Sequence, residues 1–316
     1  DENTALVVGS APQYPQGVVD DIGKIATLAE SVDANCHVDA CMGGFVLPFA
    51  EMLGRPMPEW DFRVTGVTSI SADVHKLGYA PKGVSVIVHR TKELRKYQTF
   101  VFDDWLGGFY ASPNLQGTRS GLPMAAAWAV MQFLGIDGYV DLVKTTLENA
   151  DKMRAGIGEI DRLKVLGDGG LHLIAMTANP DDPDPIDVFA LADALANRGW
   201  FHDRQTPPDN LHSTVSNSNT GVIDDYIEAL HACIAEVGGT TGRGLAGQET
   251  KDADQLGSIA IELIDADLRP YSSFAFVAEL QEAGPSHPLL ETISFRGWRG
   301  GPGGDAIDIE LSGGSS

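Results

Sequence analysis

Short apolar runs, each closing on small or polar residues, set the rhythm of the first part of the chain. Ala5, Leu6, Val7 and Val8 run into Gly9 and Ser10 and read as a buried parallel strand. The loop at residues 11–17 follows the carboxyl end of that strand, where α/β sheets take their ligands. Asp20 is expected to cap a helix running through Ser31, with Ile22, Ile25, Leu28 and Ala29 on one face. Residues 35–41 form the next strand. Strand, helix and strand within about 40 residues make a βαβ unit and predict a parallel sheet. A glycine-rich exit, Met42-Gly43-Gly44-Phe45, leads into a helix ending near Gly54. Residues 67–76 give a strand and turn, residues 84–89 another strand, and Thr91 starts a short helix. Residues 105–121, rich in glycine, proline and polar groups, are expected to be loop. Pro123 fits the first turn of an apolar helix through Leu134, and a second long helix spans residues 138–160.

From Leu163 the texture changes. Two strands, 163–166 and 171–177, flank a glycine turn, and an acidic, proline-rich loop follows at 179–185. A helix at 187–197 stops at Gly199, a strand covers 211–216, and an amphipathic helix covers 222–237. The fold signal lapses at 238–254, which reads as linker. A strand (258–264), a helix (272–283) and two strands (292–296, 307–311) complete the chain. The expected organisation is therefore a large domain at 1–160, a small α+β domain at 161–237, a linker at 238–256, and an incomplete βαββ tail at 257–316.

Composition narrows the partners. The chain has 316 residues and a formal net charge of −22. Phosphate backbones require clustered Lys and Arg, so nucleic acid is excluded as a partner. No apolar run is long enough to span a membrane, and no signal peptide is visible. Cys36, Cys41 and Cys233 lack the spacing of a metal site or a disulfide framework; they read as thiols in a reducing compartment, hence a cytoplasmic protein. The chain opens without Met, one step before a buried-type strand, and ends in Ser-Gly-Gly-Ser-Ser, so it reads as a fragment cut at both ends.

The candidate chemistry centres on Ser69-Ile70-Ser71-Ala72-Asp73-Val74-His75-Lys76-Leu77-Gly78. A surface lysine needs no run of small residues before it; a lysine that holds a ligand does. Lys76 is therefore read as the amine that carries pyridoxal phosphate (PLP) as a Schiff base. PLP also needs an acid against its pyridine nitrogen and donors for its phosphate. Asp39 lies in an apolar strand, where a carboxylate needs a partner. Either it caps a loop amide or it faces a ring N–H⁺. His75 is placed to reach a phosphate oxygen, and Thr118 and Arg119 are candidate anion ligands in a glycine-flanked loop.

The stretches from His37 to Phe45 and from Ser71 to Gly83, with the loop at 9–17 and the segment 110–121, resemble the sphingosine-1-phosphate lyase branch of the group II PLP decarboxylases. The resemblance covers residues 1–237 and implies a partial fold type I PLP-dependent transferase fold. Amino-acid decarboxylases of the group usually carry alanine and tyrosine where this chain has Cys41 and Met42. It implies cleavage of a phosphorylated amino alcohol to a fatty aldehyde and phosphoethanolamine. It further implies that Lys76 bonds the cofactor, Asp39 pairs with the ring nitrogen, His75 contacts the cofactor phosphate, and Tyr14 and Arg119 lie by the substrate. Thr118 would reach the cofactor phosphate of the other subunit, so a homodimer is implied. The family's phosphate-binding Gly-Thr segment and its ring-stacking histidine fall upstream of residue 1. A PLP-dependent amino-acid decarboxylase is the alternative within the same fold.

The tail is similar to a different family. Residues 255–263, 269–273 and 295–304 resemble the periplasmic porter region of resistance-nodulation-division efflux transporters. That pairing raises a third reading, an inactive chimeric fragment carrying a transporter segment.

Overall fold

A computed structural model describes residues 3–167 and 169–237, together with the backbone of strands at 256–262, 290–299 and 305–313. The expected linker and the helix at 272–283 lie outside the described residues. The chain divides into two compact units, Asp1–Asp182 with His202–Glu228, and Pro183–Phe201 with Ala229–Ser316. All the candidate site residues belong to the first.

The first unit is built on a four-stranded sheet of order β1-β2-β3-β4. Strand β1 (Leu6–Ser10), helix α1 (Ile22–Ser31) and strand β2 (Asn35–Asp39) form the expected βαβ unit, and β1 and β2 pair in parallel. Helix α1 is capped by Asp21, whose side chain accepts from the Lys24 amide, and not by Asp20. Asp20 instead accepts the Ser10 amide at 2.8 Å, tying the start of the helix to the end of β1. Two adjacent aspartates give the same capping signal, and tertiary pairing chose between them.

Strand β3 (Val67–Ala72) runs parallel to β2, and β4 (Val86–His89) runs antiparallel to β3. The sheet is thus mixed at this side. Strand β3 stops at Ala72 and the expected turn follows: the Lys76 amide donates to Asp73 O at 3.2 Å and the Tyr79 amide to Lys76 O at 3.0 Å. Strand β4 starts two residues later than expected, since Val84 O is taken by the His75 backbone at 3.2 Å and by its ring at 2.7 Å.

Helix α2 (Leu47–Met52) follows the glycine exit of β2, and α3 (Lys92–Arg95) is capped by Thr91. Strands β5 (Phe100–Phe102) and β6 (Tyr110–Ser112) form an antiparallel hairpin. Three-residue strands carry no readable period, so part of the expected loop at 105–121 is a strand instead. Helix α4 (Leu122–Gly158) carries Pro in its first turn and breaks at Gly135, whose φ of 58° is non-helical. The break explains why the sequence reads as two helices.

The core packs between α1, α2, α4 and the sheet. Ile22, Ala29, Leu47, Val38, Val67 and Leu147 are almost wholly buried there. Each buried Ile or Leu contributes roughly 1.5–3 kcal/mol over leaving it in water.

A second, antiparallel sheet, ordered β7-β8-β10-β9, belongs to the same unit. It comprises β7 (Leu163–Leu166), β8 (Leu173–Ala178), β9 (Asp203–Gln205) and β10 (Asn210–Thr214). Helix α5 (Val188–Ala196) has Asp187 as N-cap, accepting from the Phe189 and Ala190 amides, and α6 spans Ile223–Val237. In the tail, β11 (Leu256–Glu262), β12 (Leu290–Arg299) and β13 (Asp305–Gly313) make an antiparallel sheet of order β11-β13-β12.

Candidate active site

Three loops meet at the carboxyl ends of β1, β2 and β3. The Ala11 amide donates to Asp39 O at 2.9 Å, and the Ala40 amide to Ser71 O at 3.0 Å, so the three exits are stitched together. Gly43 and Gly44 permit the close approach: a Cβ on Gly43 would collide with Ala11 O, and one on Gly44 would lie 2.5 Å from the Ala72 side chain. Only residues without side chains let the β2 exit fold back so tightly.

Asp39 ends β2. Its Oδ1 accepts from the Cys41 amide at 3.0 Å and from the Ser71 hydroxyl at 3.3 Å. The carboxylate therefore does cap a loop amide, one of the two readings its sequence left open. Lys76 stands on the turn after β3, with Nζ 3.0 Å from Asp73 Oδ2 and its side chain 34% exposed. The Cys41 thiol interacts electrostatically with both Asp39 and Lys76. Partial burial pulls the Lys76 ammonium down, but Asp73 and the Cys41 sulfur outweigh it, and the amine is held above its ordinary range. Burial, aided by Asp39, pushes the Cys41 thiol up, which keeps it protonated near neutrality.

His75 faces the same carboxylate. Its Nδ1 donates to Val84 O at 2.7 Å, leaving Nε2 3.9 Å from Asp73 Oδ2. Asp73 Oδ1 accepts from the Ser85 hydroxyl at 2.5 Å. Burial works against the Asp73 carboxylate, yet the Ser85 and Lys76 hydrogen bonds prevail and hold it below its ordinary value.

Lys76 and His75 thus share Asp73, and Asp39 ends the strand beside the one they follow. Tyr14 sits apart from that cluster, on the loop after β1, and its hydroxyl donates to Asp203 Oδ2 at 3.1 Å. Burial, then the Asp203 charge and hydrogen bond, push the phenol up to about 12. Thr118 is exposed, and so is Arg119, whose guanidinium donates to Gly83 O at 3.2 Å. Arg119 lines an open cavity of about 740 Å³ with Ile87, Phe100, Tyr110, Ser112 and Leu115. Among the described residues no cluster of three or more His, Cys, Asp or Glu side chains suits a metal ion.

Reading the sequence did not pick out Asp73, Ser85 or the Cys41 thiol as neighbours of Lys76. For Asp73 a signal was present: it stands three residues before Lys76, the separation at which opposite charges meet across one turn. Ser85 reaches Asp73 only because the chain doubles back between β3 and β4.

The family model for the pyridoxal-dependent decarboxylase conserved domain matches residues 7–178. The sphingosine-1-phosphate lyase of Oryza sativa subsp. japonica is 37% identical over 273 residues, covering 84% of this chain and 50% of the relative. That of Drosophila melanogaster is 40% identical over 248 residues, covering 78% of this chain and 45% of the relative. The chain spans about half the length of the curated relatives it matches. The solved sphingosine-1-phosphate lyase of Burkholderia pseudomallei superposes with a TM-score of 0.70 at 40% identity, over 75% of this chain and 53% of that one. A Lactobacillus brevis glutamate decarboxylase, at 23% identity and a TM-score of 0.62, shares the fold, covering 74% of this chain and 55% of its own.

The residues present fit PLP. A half-buried amine stands at the carboxyl edge of the sheet, a carboxylate ends the neighbouring strand, and the glycines of the β2 exit leave room beside both. PLP is the cofactor that the matched domain uses. With the fold of type I PLP enzymes and a domain match over more than half its length, the chain belongs to the pyridoxal-dependent decarboxylase family.

Proposed function

We propose that the protein is a PLP-dependent carbon–carbon lyase that cleaves a phosphorylated sphingoid base to a fatty aldehyde and phosphoethanolamine. The observation that carries this reading is the half-buried Lys76 amine, paired with Asp73 on the turn after β3, with Asp39 ending the neighbouring strand β2. The lyase names of the relatives at 37–40% identity favour it over amino-acid decarboxylation, since the glutamate decarboxylase likeness is one of fold.

PLP, when bound, supplies the electron sink that lets a carbon–carbon bond break. Lys76 would hold it covalently, and Asp39 would accept a hydrogen bond from its ring nitrogen. His75, with Nε2 free of the backbone, would contact the cofactor phosphate. Asp73 gives Lys76 a counter-charge until the amine is used. Tyr14 remains a phenol at neutral pH and gives its one proton to Asp203, so it would meet the substrate as a hydrogen-bond acceptor rather than act as the base. Arg119 would meet the substrate phosphate.

A homodimer follows from the same reading, with Thr118 reaching the partner's cofactor phosphate. Exposed apolar side chains at Phe100, Val101, Trp105, Leu106, Phe109 and Leu115 support a covered face there. Among the described residues no helix is long and apolar enough to cross a membrane, and the cysteines described are free, which fits the proposed cytoplasmic setting. The proposed organisation is a large domain at 1–160, a small domain at 161–237, a linker at 238–256 and a tail at 257–316. For that tail we propose a separate origin, on its resemblance to the efflux porter region. An intact-mass measurement of the native protein tests this, and one natural polypeptide carrying both parts would overturn it.

Borohydride reduction after adding PLP tests the lyase reading. A mass increase is expected on the peptide holding Lys76 and is lost in Lys76→Ala. Incubation with a phosphorylated sphingoid base is then expected to release aldehyde. Release of carbon dioxide from glutamate or tyrosine instead would favour the decarboxylase, and no covalent cofactor at all would favour the inactive fragment.

A further inference from the structure

Asp39 is the end of a chain of hydrogen bonds along the sheet. Strands β2 and β3 run in parallel, with His37 opposite Ser69 and Asp39 opposite Ser71. Residues two apart on a strand share a face, so these four polar side chains line one surface. The Ser71 hydroxyl donates to Asp39 Oδ1 at 3.3 Å. Ser71 Oγ lies 3.1 Å from His37 Nε2, and Ser69 Oγ lies 2.8 Å from His37 Nδ1.

The direction of the chain follows from the inventory of protons. An ionised carboxylate only accepts, and a serine has one proton to give. Ser71 gives that proton to Asp39, so toward His37 its oxygen can only accept. His37 must then carry its proton on Nε2. A neutral ring leaves Nδ1 bare, and Ser69 donates to it. Burial holds the His37 ring below its ordinary value; the Asp39 charge opposes this and His89 adds to it. Every donor therefore points toward Asp39. The Cys41 amide meets the same Oδ1 at 3.0 Å, from the loop side. Two donors on one oxygen fix the rotation of the carboxylate and leave Oδ2 outside the relay.

We propose that Ser71 and His37 are positioning residues for the cofactor: with the His37 proton on Nε2, the relay Ser69–His37–Ser71 locks Asp39 Oδ1 and presents the carboxylate to the pyridine nitrogen of PLP. The proposal rests on the reading of Asp39 as the ring-nitrogen partner. A polar network that merely satisfies itself would leave the cofactor indifferent to Ser71.

The test uses the full chain in two stages. Nitrogen-15 NMR of the histidine-labelled protein without PLP reads the tautomer, and Nε2 protonated with Nδ1 bare is expected at neutral pH. The opposite tautomer, or a doubly protonated ring, overturns the relay. PLP titrations then compare the wild type, Ser71→Ala and Ser71→Thr, following the absorbance of the Lys76-bound cofactor against pH. Ser71→Ala is expected to weaken PLP binding about fivefold, the equivalent of one neutral hydrogen bond, and to shift the pH profile of the band. Ser71→Thr keeps the hydroxyl on a strand that suits a β-branched residue, and is expected to restore both. Wild-type affinity and profile in Ser71→Ala would reduce the network to a structural one and overturn the proposal. A wild type that forms no bond to PLP overturns the Lys76 and Asp39 reading and the relay's role with it; the tautomer separates that failure from an error in the relay itself.

Discussion

The Tyr14 hydroxyl donates to Asp203 Oδ2 at 3.1 Å, joining positions 189 residues apart in the chain. The same loop is held a second time. The His212 ring meets the Tyr14 ring edge-on at 4.4 Å, and its Nδ1 donates to Pro15 O at 2.9 Å. The antiparallel sheet of β9 and β10 thus fixes the loop that follows β1, from which Tyr14 projects.

Replacing Asp203 should release Tyr14. In Asp203→Asn the charge that raises the phenol is gone, while burial, the larger cause, remains. The Tyr14 phenol is expected to titrate below its present value of about 12 yet still above the ordinary 10.0. Carbon-13 NMR of labelled tyrosine reads this directly. An unmoved titration would mean that the pair does not form in solution.

The stability of the fold should fall with acid well before its carboxylates protonate. Burial lowers His172 to about 3 and His202 to about 4, from an ordinary 6.5. The unfolded chain takes up protons below 6.5 that the folded chain refuses, so stability is intact above that value and drains away as pH falls toward the folded values. Each histidine accounts for about 1.4 kcal/mol per pH unit in that window. Urea unfolding between neutral pH and about pH 5 measures the slope. His172, fully buried with neither ring nitrogen hydrogen-bonded, is the cleaner probe. His172→Leu should flatten the slope by up to about 1.4 kcal/mol per pH unit, and an unchanged slope would count against this assignment.

Asp73 should govern how readily Lys76 reacts. The carboxylate holds the amine up against the pull of burial. In Asp73→Asn burial acts with less opposition, the amine titrates lower, and more of it is neutral at a given pH. Labelling of Lys76 by an amine-reactive reagent at about pH 9 is expected to quicken severalfold, followed by peptide mass spectrometry. Equal labelling in both proteins would remove Asp73 from the site.

Gly43 should tolerate no side chain. A Cβ there would collide with Ala11 O and lie 2.6 Å from Pro12 Cδ, so Gly43→Ala forces the β2 exit off the β1 loop. The expected loss is about 1–3 kcal/mol in denaturant unfolding. Gly158→Ala is the contrast: nothing lies within 4 Å of the added carbon, and the residue is helical. That change should be neutral or stabilising by up to about 1 kcal/mol.

The local code of the chain carried most of its elements. Gly9 and Ser10 closing an apolar run, Asp187 before Val188 and Pro123 at the head of α4 each act within one turn or strand, so the sequence alone determined those strands and helices. It also determined the candidate pair, since an aspartate in an apolar strand and a lysine among small residues are unusual wherever they occur. Tertiary structure decided the rest. Asp21 rather than Asp20 caps α1 because Asp20 is taken by the Ser10 amide. Strand β4 runs against β3, and β5 and β6 pair, because partners are chosen by the folded sheet and not by any period in three or four residues. The Ser85 contact with Asp73, the Ser71–His37 relay and the grip of Asp203 on Tyr14 all join residues through space. Hydrogen bonds act over a few ångströms, and only the folded backbone sets which side chains come within that reach.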